Sequence, residues 1–333
     1  MPSPPSVRLP RPTRPRTLLT LLIALLGAAT LLAPPAKAAA LTEVTGFGSN
    51  PGALRMFAYV PDGAPSGAPL VALLHGCTQD AALYHANSGW QKYADAAGIV
   101  LVYAQQSTAN NANRCFNWFQ PGDTAPGAGE ALSIRQMIGH AQAAYGADPA
   151  RTYISGLSAG GAMTSELLSA YPGTFSGGSI VAGLPTGCAT DLLTALTCQS
   201  PGRDRTPAQW GDAVRDKNPG YTGPWPRVSV WHGSADTTVV PSNARESRDQ
   251  WTDVWGLPPD PTSTRELPGG TTVEEYADAS GAAAVTTYLI AGMGHGTPVD
   301  PGPAEDQCGT AGAHFPDTIC STHYTALSWG LTG

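Results

Sequence analysis

The stretch from Tyr153 to Leu168, YISGLSAGGAMTSELL, decides the fold. A β-like run ends at Gly156, and a helix-like run begins just after Ser158. A nucleophile at a tight turn from strand to helix takes a strained backbone, so its neighbours must be small to clear both elements. The G-x-S-x-G pattern over residues 156–160 meets that demand. We therefore predict that Ser158 is a nucleophile, lifted above the edge of a sheet.

The rest of the chain alternates between strand-like and helix-like segments, which is typical of a mainly parallel sheet with helices on both faces. The predicted strands cover residues 54–61, 69–75, 99–105, 151–156, 177–183, 227–233, 271–278 and 283–292. The predicted helices cover residues 81–97, 130–145, 160–171, 206–217, 241–255 and 322–331. A polar stretch over 106–130 is too long for an ordinary connection, which favours a functional loop.

Residues 1–40 have the order of a secretory signal peptide. Four arginines lie between residues 8 and 16, an apolar run TLLTLLIALLGAATLLA follows, and small residues at 36–40 suit cleavage. The alternative is a membrane anchor, but the run is short for a span of about 20 residues. We expect a secreted, extracellular protein with no stable membrane association after cleavage, and one catalytic domain over residues 41–333.

The charge balance excludes some partners. Five of the 18 Lys and Arg residues and none of the 25 Asp and Glu residues lie in residues 1–40, so the remainder has 13 basic against 25 acidic side chains. An acidic surface argues against nucleic acid and anionic membranes as partners.

Six cysteines suggest disulfide bonds. Their number is even and the protein is expected to be exported, which favours the oxidised state. Sequence alone does not choose among the pairings, but spacing favours two short local loops and leaves one pair over. These pairs are Cys188–Cys198, Cys308–Cys320 and Cys77–Cys115. No C-x-x-C pair exists, so no zinc or other metal site is predicted.

A serine nucleophile needs a base and an acid that orients it. In this type of fold the acid follows the serine, just past a strand, and the histidine comes last. Asp236 lies three residues after the strand that ends at Gly233, whereas Glu246 and Asp253 fall on a predicted helix. We predict that Asp236 is the acid.

Four histidines follow the serine in the chain. His232 lies inside a strand, and His314 and His323 lie near Cys320 and the closing helix. His295 follows a strand and stands among glycines in GMGHGTPVD, which presents it at a loop tip. We predict that His295 is the base.

The negative charge on the tetrahedral intermediate needs two amide donors. The residue after the nucleophile, Ala159, supplies one, and a loop after an early strand supplies the other. In LLHGCTQD (73–80) the strand ends at His75, Gly76 turns the backbone, and the amide of Cys77 faces the site. A Cys77–Cys115 bridge would hold this loop and tie the long polar loop beside the serine.

Taken together, these segments resemble the esterase family of extracellular poly(3-hydroxybutyrate) depolymerases, which is itself similar to feruloyl and acetylxylan esterases of carbohydrate esterase family one. The stretches that carry the resemblance are LLHGCTQD, NRCFNWF, DPARTYISGLSAGGAMTSELL, AGLPTGCA, VWHGSADTTV and GMGHGTPVD. The resemblance implies an α/β-hydrolase fold, the triad Ser158, Asp236 and His295, Cys77 in the oxyanion hole, and no cofactor. Trp118, beside Cys115, either lines the substrate groove or is an ordinary surface or core residue.

The leading hypothesis is a secreted serine esterase acting on poly(3-hydroxybutyrate)-type polyesters or their oligomers. Polymer-degrading members of the family usually carry a linker and a separate substrate-binding domain, and this sequence shows neither, which favours soluble oligomers, amorphous polyester or acyl groups on plant polysaccharide. The alternative enzyme is a feruloyl or acetylxylan esterase. A catalytically dead hydrolase that binds a ligand is the alternative of another class, although every expected triad position is filled.

Overall fold

The computed structural model describes residues 1–6, 8–12 and 39–332. Ala38–Gly333 form one compact unit, and Met1–Lys37 form a second. The apolar run of the predicted signal peptide lies outside the described residues. Among the residues that are described, no helix combines the length and the apolar character needed to cross a membrane.

A ten-stranded sheet runs through the larger unit in the order β1-β2-β4-β3-β5-β6-β7-β10-β9-β8. Six neighbouring strands of the sheet are parallel, namely β4, β3, β5, β6, β7 and β10. The strands at both ends of the sheet pair antiparallel. The strands are β1 (Thr42–Val44), β2 (Arg55–Tyr59), β3 (Leu70–Leu74), β4 (Val100–Gln105), β5 (Thr152–Leu157), β6 (Gly177–Val181), β7 (Arg227–Gly233), β8 (Ser263–Leu267), β9 (Thr271–Ala277) and β10 (Ala283–Ile290).

Nine α-helices lie within the described residues, on both faces of the sheet. They are α1 (Ala81–Asn87), α2 (Trp90–Ala97), α3 (Pro121–Thr124), α4 (Gly129–Tyr145), α5 (Ala159–Ala170), α6 (Leu192–Gln199), α7 (Pro207–Arg215), α8 (Ser242–Trp255) and α9 (Ser321–Ser328). The structure thus confirms the predicted fold class, an α/β-hydrolase with a mainly parallel sheet.

The hydrophobic core is divided by the sheet, because successive side chains of a strand point to opposite faces. Leu70, Ala72 and Leu74 of β3 belong to one core cluster, and Val71 and Leu73 belong to the other. Helices α4, α5, α7 and α8 contribute to the first cluster, and α1, α2 and α9 to the second. Burial on both sides explains why the central strands are almost continuously apolar.

Five segments differ from the sequence-based prediction, and two of them are the short elements β1 and α3, which were not predicted. The helix predicted over 81–97 is two helices, separated at Gly89, where φ is +83° and an added Cβ would meet Sγ of Cys308 at 2.5 Å. Strand β8 was not predicted, because its residues are almost all exposed and show no apolar alternation. Helix α6 was not predicted either, and its leucines are largely exposed.

The three disulfide bonds join the pairs that the spacing favours: Cys77–Cys115, Cys188–Cys198 and Cys308–Cys320. The first connects the loop after β3 to the long loop between β4 and α3. The second spans α6, and the third closes the segment before α9. Each bond therefore constrains a loop rather than the sheet.

Candidate active site

Ser158 lies between β5 and α5 with φ +57° and ψ −118°, a conformation that non-glycine residues rarely adopt. Its amide donates to the carbonyl of Val181 at 2.9 Å. An added Cβ on Gly156 would overlap the carbonyl of Gly160, and one on Gly160 would overlap that of Leu74. The small residues around the serine are therefore required by close packing of backbone against backbone.

Asp236 follows β7 and is buried. Its Oδ1 accepts from the amides of Thr238 (2.8 Å) and Val239 (2.9 Å). Burial alone would raise the pKa of Asp236, but hydrogen bonds from His232 and His295 and the Val239 amide outweigh burial and hold the pKa well below its usual value. Asp236 is thus a carboxylate whose orientation is fixed from two sides.

His295 lies in the loop after β10, and its Nδ1 is 2.7 Å from Oδ2 of Asp236. The two loops are also tied through their backbones, because the amide of Ala235 donates to the carbonyl of Met293 at 3.0 Å. With the Nδ1 proton directed at the carboxylate, Nε2 of His295 is left as an acceptor. This is the tautomer that a general base acting on a hydroxyl needs.

Ser158, His295 and Cys77 line one cavity of about 180 Å³, which we call the serine cavity. Within the described residues the hydroxyl of Ser158 makes no hydrogen bond, so it is not used to cap α5. Catalytic hydrogen bonds are often long without substrate and tighten in the complex. The structure thus brings a free hydroxyl and an oriented imidazole to the wall of the same cavity.

The loop after β3 is held by side chains that act on the peptide joining Gly76 to Cys77. Nδ1 of His75 donates to the carbonyl of Gly76 at 2.7 Å, while Nε2 of His75 accepts from the amide of Gln106 at 3.1 Å. Because a trans peptide is planar, its C=O and N–H point in opposite directions. Fixing the carbonyl of Gly76 therefore fixes the direction of the Cys77 N–H.

His75 itself is almost fully buried. Burial lowers its pKa to about 4, even though the hydrogen bond to Gly76 favours the protonated form. The ring is therefore neutral at pH 7, which its acceptor role toward Gln106 requires. The same loop is held by Gln79, whose Oε1 accepts from the amide of Gly76 at 2.9 Å.

A buried carboxyl group, Glu130 at the start of α4, holds the long loop. It accepts from Gln106 (2.6 Å), Asn110 (3.1 Å) and the amide of Asn117 (2.9 Å). Burial raises its pKa to about 8, against the opposite effect of these hydrogen bonds. Trp118 follows directly in this loop and is 4% exposed.

Trp118 lines a second cavity of about 440 Å³, which we call the α6 cleft. The α6 cleft also touches Ala159 and shares Cys77, Thr78 and Gln199 with the serine cavity. The two open into the same region beside the residues predicted to donate to the oxyanion. Trp118 is thus a core residue with one side on this cleft, and its contact with substrate stays a prediction.

The residues of this region that were not predicted from the sequence as parts of the site include His75, Gln79, Thr238 and His314. His314 has φ +62°, lines the serine cavity, and its ring centre is 6.0 Å from that of His295. The position of His75 and Gly76 directly before Cys77 was a usable signal that the His75 side chain contacts the backbone of this loop. His314 gives no such signal, because its segment is held beside the cavity by long-range backbone bonds, among them the one from the Thr297 amide to the His314 carbonyl.

Over residues 1–6, 8–12 and 39–332, no three His, Cys, Asp or Glu side chains are placed to hold a metal ion.

The mainly parallel sheet with helices on both faces defines an α/β-hydrolase. Residues 54–277 match the family model described as esterase PHB depolymerase. The chain belongs to this family and is a carboxylic ester hydrolase.

Relatives of known name agree with this assignment. The chain is 50% identical over 295 residues to poly(3-hydroxyalkanoate) depolymerase C of Paucimonas lemoignei, covering 88% of this chain and 71% of that one. It is 34% identical over 276 residues to feruloyl esterase B of Talaromyces funiculosus, covering 81% and 76%. An acetyl xylan esterase from Aspergillus awamori has the same fold, with TM-score 0.75 and 24% identity over 88% of this chain and 99% of that one.

Proposed function

We propose that this protein is a secreted serine esterase that hydrolyses poly(3-hydroxybutyrate)-type polyesters or their oligomers. Ser158 is the nucleophile, His295 the general base and acid, and Asp236 the group that orients His295. The amides of Cys77 and Ala159 form the oxyanion hole. The substrate is a polymeric or oligomeric ester, and the reaction uses no cofactor or metal.

One observation carries the mechanism: Nδ1 of His295 lies 2.7 Å from Oδ2 of Asp236, on the cavity that Ser158 and Cys77 also line. A hydroxyl on a strained turn, an imidazole in a fixed tautomer and a buried carboxylate are the groups that nucleophilic acyl transfer requires. Because no expected member is replaced, the arrangement supports an active enzyme over a catalytically dead binding protein.

The reaction has two halves. Oγ of Ser158 attacks the ester carbonyl carbon while its proton passes to Nε2 of His295, and the carbonyl electrons move onto oxygen, facing the two amides. The tetrahedral intermediate collapses, the bond to the alcohol oxygen breaks, and His295 returns the proton to that oxygen. Water then attacks the acyl-enzyme with His295 again taking a proton, which releases the acid and regenerates Ser158.

The polyester substrate is supported by the 50% identity to a protein named poly(3-hydroxyalkanoate) depolymerase C. It is also supported by the α6 cleft, whose lining contains no charged side chain. Such walls suit a neutral aliphatic ester. Secretion is supported by the order of residues 1–40 and by the three disulfides, since these bonds persist in oxidising compartments.

A substrate comparison tests the proposal. Purified protein is given an emulsion of poly(3-hydroxybutyrate), and clearing and release of 3-hydroxybutyrate are followed, with Ser158→Ala as the control. We expect release by the wild type and a loss of several orders of magnitude in the variant. Hydrolysis of p-nitrophenyl butyrate without release of 3-hydroxybutyrate from either the emulsion or soluble oligomers would reject the proposed substrate while keeping the esterase.

The second candidate is a feruloyl or acetylxylan esterase, favoured by the 34% identity to feruloyl esterase B. Release of ferulate or acetate from xylan at a higher kcat/KM than 3-hydroxybutyrate from soluble oligomers would establish it.

A further inference from the structure

The α6 cleft continues outward from the serine cavity onto the surface of α6. Its inner end lies at Cys77 and Ala159, and its outer wall includes Leu192 and Leu196. A chain that has its carbonyl at the oxyanion hole therefore meets the side of α6 as it leaves the site. No charged side chain lines this path.

Helix α6 presents three leucines to solvent. Leu192, Leu193 and Leu196 are 62%, 75% and 55% exposed and lie within about one helical turn of each other. Single exposed leucines are ordinary, whereas clustered ones mark interaction sites. The other large apolar residues exposed between residues 39 and 332 are Leu83, Leu289 and Leu327, and each lies on a different element.

The leucines stand on a fixed element. The Cys188–Cys198 disulfide spans α6, and both cysteines are fully buried. A capping box between Asp191 and Thr194 closes the first turn, and Nδ2 of Asn243 on α8 donates to the carbonyl of Cys198 at 3.0 Å. The surface is therefore preformed, so binding to it does not require ordering of a mobile segment.

The chemistry of this surface selects its partner. Residues 192–199 of α6 carry no charge, although the protein as a whole is acidic, and the carboxylate of Asp191 at the N-cap accepts from the amide of Thr194. The two aromatic residues that line the α6 cleft, Trp118 and Phe119, are more than nine-tenths buried, and α6 itself carries no aromatic residue, so leucines make up the exposed part of this surface. Leucine side chains and a neutral cleft match the methyl and methylene groups of an aliphatic polyester.

We propose that Leu192, Leu193 and Leu196 form a docking surface for aggregated or solid aliphatic polyester, from which the α6 cleft leads a chain segment to Ser158. This inference rests on the proposed polyester substrate and names the surface that binds it.

Adsorption tests the proposal separately from catalysis. All proteins carry Ser158→Ala so that the particles stay intact, and the fraction bound to poly(3-hydroxybutyrate) particles is measured by sedimentation. The test variant is Leu192→Gln/Leu193→Gln/Leu196→Gln, since glutamine keeps helix propensity. The matched control is Leu83→Gln/Leu289→Gln/Leu327→Gln. We expect the adsorption constant to fall about tenfold or more in the test variant and less than about twofold in the control.

The single variant Leu193→Gln, at the most exposed position, keeps the test valid if the triple variant misfolds. We expect this variant to weaken adsorption about threefold. Equal adsorption of the parent and both α6 variants would overturn the proposal, as would equal weakening in the control. A change from dimer to monomer without a change in adsorption would assign the face to a second copy of the chain. If adsorption depends on α6 but the wild type does not hydrolyse the polyester, the proposed substrate would be contradicted while the docking surface would be supported.

Discussion

Asp236 illustrates how single residues set the chemistry of the site. Its Oδ2 is shared between His295 at 2.7 Å and His232 at 3.4 Å, while Oδ1 is saturated by two backbone amides. Nε2 of His232 is engaged by the carbonyl of Val239 at 2.8 Å, so His232 supports the loop of Asp236. Of the two histidines that contact the carboxylate, only His295 lies on the serine cavity.

We predict that Asp236→Asn lowers kcat about 10³- to 10⁴-fold on p-nitrophenyl butyrate, because an amide no longer stabilises the imidazolium and favours the wrong tautomer. Steady-state kinetics with a thermal unfolding curve for each protein provide the measurement. Asp62→Asn, at an exposed turn, is the matched control and should change kcat less than about twofold. An Asp236→Asn enzyme with unchanged kcat would remove this residue from the mechanism.

The burial of His75 should make the free energy of unfolding depend on pH. Its pKa is about 4 in the folded protein, against an unfolded value of about 6.5. The unfolded state therefore binds the proton first as the pH falls, and folding stability is lost between about pH 6.5 and 4. Asp80 and Arg114 are the charged groups whose fields act on the ring, in opposite directions.

In the variant His75→Asn this loss is absent, because asparagine keeps a donor near the Gly76 carbonyl and does not titrate. We expect the free energy of unfolding in urea to drop between pH 7 and 4.5 by about 2 to 3 kcal/mol more in the wild type than in the variant. Equal drops in the two proteins would show that His75 is not buried neutral.

At the scale of elements, the turn between β5 and α5 is closed by backbone contacts. We predict that Gly156→Ala lowers the free energy of unfolding by more than about 2 kcal/mol, because the new Cβ would overlap the carbonyl of Gly160. Gly122→Ala in α3 is the matched control, since an added Cβ there meets nothing within 4 Å. Denaturant unfolding gives both values, and similar losses in the two variants would contradict this packing.

Elements with one dominant signal were predictable from the sequence. Strands β3 and β4 are unbroken apolar runs because both their faces are buried, and β5 is identified by the glycine pattern that follows it. Helix α6 and strand β8 could not be predicted, because their sequences lack one dominant signal. The exposed leucines of α6 do not follow a core-facing period, and β8 is specified only by its pairing with β9.

For the molecule as a whole, the sheet order explains how distant residues meet. Strands β5, β6, β7 and β10 are parallel neighbours, so the loops after β5, β7 and β10 leave at one edge, and these loops carry Ser158, Asp236 and His295. Chain order and strand ends therefore sufficed to nominate these three residues. The contacts of His75 with Gln106 and the approach of His314 depend on loop conformations that local sequence does not specify.

The most direct test of the mechanism is to locate the reactive group. The full chain is treated with a fluorophosphonate probe, digested, and analysed by mass spectrometry for the modified peptide. We predict one equivalent of label on Ser158 and none in the variant Ser158→Ala. An active enzyme that takes the label on another residue, or on none, would contradict the assignment of Ser158 as the nucleophile.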